Sequence, residues 1–202
     1  MYRSIKAVLF LLCITPAGYL GWRAYHQDLT PDPVAYITHF LGDWTIRFLM
    51  ITLTVTPLRG LLHQPQLIRF RRMLGLTAFF YGCLHFLTWI VLDKFFDWHE
   101  MWADILKRRF ITLGMLGLAL MLPLAITSTA GWVRRLGFKR WQRLHGLIYF
   151  SALAGVIHYY WLVKSDIREP LMYAGILLIL MSYRFVVWMR KPVRKPARVE
   201  VS

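Results

Sequence analysis

Three histidines lie inside long apolar stretches of this sequence, where a polar side chain is costly and calls for a partner or a function. His85 lies in "RFRRMLGLTAFFYGCLHFLTW", and His145 and His158 lie in "KRWQRLHGLIYFSALAGVIHYYWLVK". A neutral imidazole is a common metal ligand and can hold a haem iron from one face. The residue types therefore predict a metal-containing cofactor within an apolar bundle.

Two of these histidines are predicted to reach the same depth. His85 lies 12 residues after Met73, or ~18 Å along a helix, and His158 lies 14 residues after Leu144, or ~21 Å. Imidazoles at one depth on two helices can hold a single haem iron from both faces. His145 lies ~20 Å before His158 along a continuous helix and ~140° around it, which predicts a second site or none.

Other interpretations of the histidines stay open at this point. A membrane histidine also serves as an interhelical hydrogen-bond partner. Zinc would need three or four ligands, and no further ligand is expected at the shared depth. A transporter would usually show carboxylates within its spans, and the predicted spans contain none. The remaining histidines are predicted to lie in loops and to be inert: His26, His39, His63 and His99.

The elements that must position these residues are six apolar windows of a 202-residue chain. Each window has about the ~20 residues that a helix needs to cross a bilayer. The sequence therefore predicts an all-α, polytopic membrane protein: one domain over 1–202, with six transmembrane helices in a bundle. The predicted helices are 7–25, 44–62, 73–92, 110–128, 144–163 and 171–189, followed by a basic disordered tail over 190–202.

The chain has a net charge of +15, and its basic and acidic residues fall in alternate loops between the apolar windows. Lysine and arginine cluster before the first window, around 59–72, within 134–143 and after 190, whereas nearly all acidic residues fall in the other loops. Since cytoplasmic loops carry the excess of lysine and arginine, both termini are predicted to be cytoplasmic. The basic clusters are predicted to orient the chain and to contact anionic lipid, and no nucleic-acid partner is predicted.

Three local features complete these expectations. The first window resembles a signal peptide, but its apolar run continues past Tyr19, which favours a retained helix. Cys13 and Cys83 fall in predicted spans and C-x-x-C-H is absent, so disulfides and c-type haem are not expected. "LTPDPVAYITHFLGDW" is predicted to be a loop that ends in a short interfacial turn. "FFDWHEMWADILKRR" is predicted to be an amphipathic interfacial helix, which serves either as a docking surface or as an element of the aromatic belt.

The histidine motifs, together with "RRFITLGMLGLALMLPLAITS", resemble the MsrQ (YedZ) family over nearly the whole chain. These are haem-binding membrane subunits of bacterial protein-methionine-sulfoxide reductase systems, within the wider ferric-reductase-like transmembrane group. The resemblance implies an inner-membrane protein that binds haem b and FMN, with haem-linked histidines at His85, His145 and His158. It also implies a periplasmic, molybdopterin-containing catalytic partner.

The pattern differs in one place from the NADPH-oxidase-like cores of that wider group, which carry two histidines on each of two helices. The fifth window keeps this spacing, but the third has only His85, and the position 14 residues earlier is Arg71, followed by Arg72. A guanidinium is always protonated and is a poor iron ligand. It is a good partner for haem propionates, flavin phosphate or lipid phosphate, so Arg71 and Arg72 are candidate cofactor-binding residues.

The predicted function is electron transfer without catalytic residues of its own. Electrons would enter on the cytoplasmic side from reduced flavin, a flavin reductase or quinol, and would leave to the periplasmic catalytic subunit. One alternative is a ferric reductase or a quinol-oxidising cytochrome b anchor for another partner. A haem-free transporter or scaffold is the alternative from a different functional class.

Overall fold

The computed structural model describes residues 2–190, and every regular element in that range is helical. The described range thus agrees with the all-α prediction; the predicted disordered tail, apart from Arg190, lies outside it. The helices are α1 (Tyr2–Tyr25), α2 (Pro33–Leu61), a 3₁₀ turn (Pro65–Phe70), α3 (Arg71–Thr88) with a π turn (Trp89–Asp93), α4 (Trp98–Lys107), α5 (Arg109–Ile126), α6 (Ala130–Leu136), α7 (Phe138–Leu144), α8 (Leu147–Leu162) and α9 (Arg168–Met189).

The long helices form a bundle in which α2 packs along α3 and α5 packs along α8. Ser151 on α8 donates to the Gly117 carbonyl of α5 (2.8 Å), and Gly117 lets the two backbones approach. At one end, which we call the acidic end, Tyr159 near the end of α8 donates to Glu169 at the start of α9 (2.6 Å). The opposite, basic end holds the start of α3 and the last turns of α2 and α9.

Among the described residues, four stretches are long and apolar enough to cross a membrane: Ser4–Tyr25, Pro65–Asp93, Arg109–Ile126 and Arg168–Met189. They correspond to the first, third, fourth and sixth predicted windows. The other two long helices are α2, which carries Asp43, Arg47 and Arg59, and α8, which has 16 residues. Neither of these two helices is among the four stretches, so the number of six membrane crossings stays a prediction.

The start of α2 corrects one expectation. The segment before residue 44 was predicted to be a loop, but α2 begins at Pro33. Asp32 caps it, because its side chain accepts a hydrogen bond from the backbone N–H of Ala35 (3.0 Å), and proline suits the first helical position. His39 consequently lies on a helix rather than in a loop.

The fifth predicted helix, 144–163, is also interrupted. α7 ends at Leu144 and α8 begins at Leu147, so His145 and Gly146 form a turn between them. A Cβ on Gly146 would lie 2.9 Å from the Arg143 carbonyl oxygen, which is why glycine occupies this tight turn. The predicted axial distance from His145 to His158 assumed one continuous helix, and that assumption was wrong.

The amphipathic helix predicted near residue 100 is present as α4. Lys94, which follows the π turn after α3 and is only 6% exposed, connects that turn to α4. It forms ion pairs with Asp104 (2.8 Å) and Glu100 (2.7 Å) on α4. Burial alone would lower the pKa of Lys94, but the hydrogen bonds to Asp104 and Glu100 outweigh it and raise that pKa. The stabilisation is present below the ordinary lysine pKa and is lost only as the pH rises through the raised value, so α4 stays fastened at physiological pH.

A proline inside a helix leaves backbone groups without their helical partners, and in two places a side chain from a neighbouring helix satisfies such groups. Beside Pro16, the fully buried Tyr81 inserts its hydroxyl into α1, accepting from the Ala17 N–H (3.0 Å) and donating to the Cys13 carbonyl (2.9 Å). Pro57 lacks the N–H that would bond the Leu53 carbonyl, and the guanidinium of Arg184 on α9 donates to that carbonyl instead.

Candidate metal centre

The structure brings His85 on α3 and His158 on α8 together in the acidic half of the bundle. Their ring centres are 6.1 Å apart, and the ring planes cross at 78°. A metal–imidazole bond of about 2 Å plus roughly 1 Å from nitrogen to ring centre, counted on each side, gives about 6 Å for two imidazoles on one ion. The spacing suits a single ion held between the rings.

Each of these rings is oriented by a backbone carbonyl. His85 Nδ1 lies 2.9 Å from the Thr38 carbonyl oxygen, and His158 Nδ1 lies 2.6 Å from that of Phe110. A carbonyl oxygen only accepts, so both Nδ1 atoms carry the proton, and both Nε2 atoms keep a lone pair for a metal. Such a second hydrogen bond is the usual way in which proteins fix the tautomer of a ligand histidine.

Glycines create the space for both rings. A Cβ on Gly42 would lie 3.2 Å from His85 Nδ1, and one on Gly114 would lie 2.8 Å from His158 Nδ1. Each glycine lies four residues after the carbonyl that its histidine contacts, so each imidazole occupies a notch one helical turn long. The α2–α3 pair and the α5–α8 pair repeat this arrangement, which we call the glycine notch.

The rings face a cavity of about 460 Å³ between these helices. Its inner part is apolar, and its mouth at the acidic end carries His39, Asp43, Asp93 and Arg108. This size falls within the range of cofactor pockets, and an apolar chamber with a few polar groups at its rim is typical of them. Apolar lining residues include Ile46, Leu49, Phe86, Met115, Leu118 and Met121.

The donor set fits a haem iron. In residues 2–190 no group of three or more His, Cys, Asp or Glu side chains is placed to hold a metal ion, and the centre consists of two imidazoles. A haem iron needs only two ligands from the protein, and His85 and His158 would supply them. Two free Nε2 atoms, two glycine notches and an apolar chamber therefore suit a planar, largely apolar cofactor.

His145 has a different environment. Its Nε2 lies 3.1 Å from the Thr127 hydroxyl, and its ring packs against Trp141 with centres 4.0 Å apart. Thr127 already donates its only proton to the Pro123 carbonyl (2.6 Å), so the hydroxyl accepts from His145 Nε2–H. His145 lies outside the cavity of the other two histidines, and only its Nδ1 keeps a lone pair in this arrangement.

The two candidate arginines point to different places. Arg71 lies within electrostatic range of His145 and of Arg184 at the basic end of the bundle. Arg72, the next residue, lines a separate surface groove between α1 and α3. Their assignment as cofactor-binding residues stays a prediction, but the structure brings only Arg71 near a candidate histidine.

Sequence reasoning missed several residues of this centre. The carbonyls of Thr38 and Phe110 carry no sequence signal, because any residue supplies a carbonyl. Gly42 and Gly114 are ordinary glycines in apolar helices until the opposing histidine is known. Arg108 was not among the candidate residues, although it lines the cavity and pairs with Asp104 (3.2 Å).

Comparison with known proteins places this arrangement in a family. Residues 41–156 match the family model described as "Ferric reductase like transmembrane component". The protein-methionine-sulfoxide reductase heme-binding subunit MsrQ of Caulobacter vibrioides is 47% identical over 184 residues, covering 91% of this chain and 87% of that protein. The chain belongs to the MsrQ family. Its MsrQ relative from Rhodospirillum rubrum is 48% identical over 186 residues, covering 92% of this chain and 89% of the relative.

The match with MsrQ proteins extends beyond the family model. The MsrQ of Herminiimonas arsenicoxydans is 47% identical over 190 residues, covering 93% of this chain and 87% of the relative. The family model ends at residue 156, just before His158, whereas these longer alignments span most of the chain. Membership in MsrQ identifies the chain as a membrane protein with a ferric-reductase-like transmembrane component.

Proposed function

We propose that this chain is the haem b-containing electron-transfer subunit of a protein-methionine-sulfoxide reductase system. It passes electrons from a cytoplasmic flavin, a flavin reductase or the quinone pool to a periplasmic, molybdopterin-containing catalytic subunit. The observation that carries the proposal is the pair of imidazoles, His85 and His158, each with Nδ1–H on a carbonyl and Nε2 free, across 6.1 Å between ring centres. The MsrQ relatives are named as heme-binding subunits, which supports the same cofactor.

The chain's own residues hold and tune the centre. His85 and His158 would hold the iron through Nε2, and their carbonyl partners raise the basicity of those nitrogens by accepting the Nδ1 protons. The apolar inner wall excludes water, while Arg108 at the mouth provides a cation for acidic groups at the cofactor's edge. The haem supplies reversible one-electron chemistry, and no substrate chemistry is assigned to the chain.

The charge distribution supports a direction for electron flow. Within residues 2–190 the basic end carries the lysine and arginine clusters and the acidic end carries most carboxylates, so the positive-inside rule favours a cytoplasmic basic end. We therefore propose six crossings of the bacterial inner membrane with both termini inside. The paired histidines then lie in the periplasmic half, next to the α4 surface, where electrons leave.

His145 and Arg71 mark the proposed entry point for electrons. Their position at the basic end suits FMN or a second haem, with Arg71 and Arg184 as cations for its acidic groups. To bind an iron through Nε2, His145 would have to give up its hydrogen bond to the Thr127 hydroxyl. This position is thus less prepared for ligation than the paired histidines, whose Nε2 atoms are already free.

Electron delivery to the catalytic subunit tests this proposal. Dithionite-reduced protein, freed of excess reductant, is mixed with the purified molybdopterin-containing subunit and methionine sulfoxide. We expect the haem to be reoxidised, as followed by its absorbance, only when the catalytic subunit and methionine sulfoxide are both present. Two electrons from haem should be consumed for each sulfoxide reduced. Reoxidation by a ferric chelate but not by the subunit and sulfoxide would favour the ferric reductase alternative. A purified protein without haem would favour the transporter or scaffold.

A further inference from the structure

A second cavity lies on the surface of the bundle and shares no lining residue with the cavity of the histidine pair. This groove, of about 540 Å³, runs between the first part of α1 and the start of α3. Cations line one part of it and apolar side chains line the rest. Its lining residues are Lys6, Ala7, Phe10, Arg69, Arg72, Met73 and Leu76.

The groove exists because α1 packs against the bundle only from about Cys13 onward, so its earlier turns stand apart from α3. Among the side chains described for α1, Cys13 is the first that is buried, and Tyr81 fastens the helix at that level. Before Cys13 the outer surface of α1 is apolar and exposed, with Val8 at 57% and Leu11 at 65%. In a membrane protein this surface faces acyl chains, so the groove opens toward lipid.

Two cations of the groove, Lys6 and Arg72, are exposed and available to an anion. Lys6 and Arg72 enter no ion pair with another residue of the described range. They lie near the α3 start, at the basic end, whereas Phe10 and Leu76 continue the groove toward the bilayer interior. Basic pockets between helices on the cytoplasmic side of a membrane bind anionic head groups.

We propose that this groove binds one anionic phospholipid, whose phosphate contacts Lys6 and Arg72 and whose acyl chain lies along Phe10, Met73 and Leu76. A free phosphate or a flavin phosphate would use the same cations. The lipid is the occupant because the groove is open to the acyl region and its inner lining is mostly aliphatic. The bound lipid fills the space that separates the first half of α1 from α3.

Native mass spectrometry of the full-length protein in detergent tests this assignment, with dioleoyl-phosphatidylglycerol and dioleoyl-phosphatidylcholine as probes. We expect one retained phosphatidylglycerol per wild-type chain. The Kd for it should rise about thirtyfold in the Lys6→Gln/Arg72→Gln variant, because each cation near the surface contributes about a fivefold factor. The matched control, Arg59→Gln/Arg134→Gln, removes the same charge from exposed positions outside the groove and should leave the Kd unchanged.

A second variant keeps the charges and fills the groove. Ala7→Phe should also weaken retention of phosphatidylglycerol, which a purely electrostatic attraction would not do. Equal retention of both lipids by the wild type, or equal loss in the control variant, would overturn the proposal. Displacement of the lipid by micromolar FMN would assign the groove to a flavin phosphate instead. Haem absorbance, measured on every sample, reports the histidine centre separately.

Discussion

Replacing either His85 or His158 by alanine should remove haem b from the purified protein. Each substitution deletes one of the two opposed imidazoles and leaves the other without a partner across the cavity. Even loss of an outer-shell partner typically weakens metal binding by 10–100-fold, so loss of an axial ligand should lower haem content more than about tenfold. The haem content per chain is measured by the pyridine haemochrome assay.

Two further histidines serve as matched controls for this result. His39→Ala alters a side chain at the mouth of the same cavity, and His145→Ala alters one outside it. Both variants should keep the haem between α3 and α8. Full haem content in His85→Ala would remove His85 as a ligand, and haem loss in His39→Ala equal to that in His158→Ala would mean that these substitutions act through folding.

A single methyl group at Gly114 should also disrupt the centre. The Cβ of Gly114→Ala would lie 2.8 Å from His158 Nδ1 and 3.0 Å from its Cε1, closer than side-chain carbons tolerate. The ring must then leave its notch and its hydrogen bond to the Phe110 carbonyl, which fixes the tautomer. We expect about a 10–100-fold lower haem affinity, the range typical of losing such a partner.

The corresponding change at Gly42 should have a smaller effect. Its Cβ would approach His85 to 3.2 Å, so the ring needs to shift by only a few tenths of an ångström. Gly175→Ala, on α9 with no atom within 4 Å of the new Cβ, is the control and should bind haem normally. Haem affinities are compared by titrating haem into apoprotein. Equal affinity for the Gly114 and Gly175 variants would show that the notch does not position the ring.

The sequence predicted the long helices better than their ends. Apolar windows located all six long helices, because length and hydropathy dominate in a membrane protein. They placed the start of α2 too late, because the prolines around residue 32 were interpreted as loop signals. Asp32 and Pro33 are instead a helix cap and a first helical residue. Within residues 2–190, four of the windows coincide with stretches long and apolar enough to cross a membrane.

The sequence was enough to predict which two histidines form the candidate site, but not how their rings are positioned and hydrogen-bonded. Depth along two helices suggested that His85 and His158 meet, and the structure brings their rings together. The tautomers, the notches at Gly42 and Gly114 and the turn at His145 depend on which helix faces which. A single sequence does not specify those contacts, since neither a backbone carbonyl nor a glycine carries a chemical signature of its partner.

The electron paramagnetic resonance spectrum of the oxidised wild-type protein tests the central claim most directly, namely that His85 and His158 hold one haem iron between them. Two imidazole ligands make the iron low-spin, and planes crossing at 78° should give the strongly anisotropic signal of near-perpendicular imidazoles. We expect this signal in the wild type and its loss, together with the haem, in His158→Ala. A purified wild-type protein that shows only high-spin iron, or no haem at all, would contradict it.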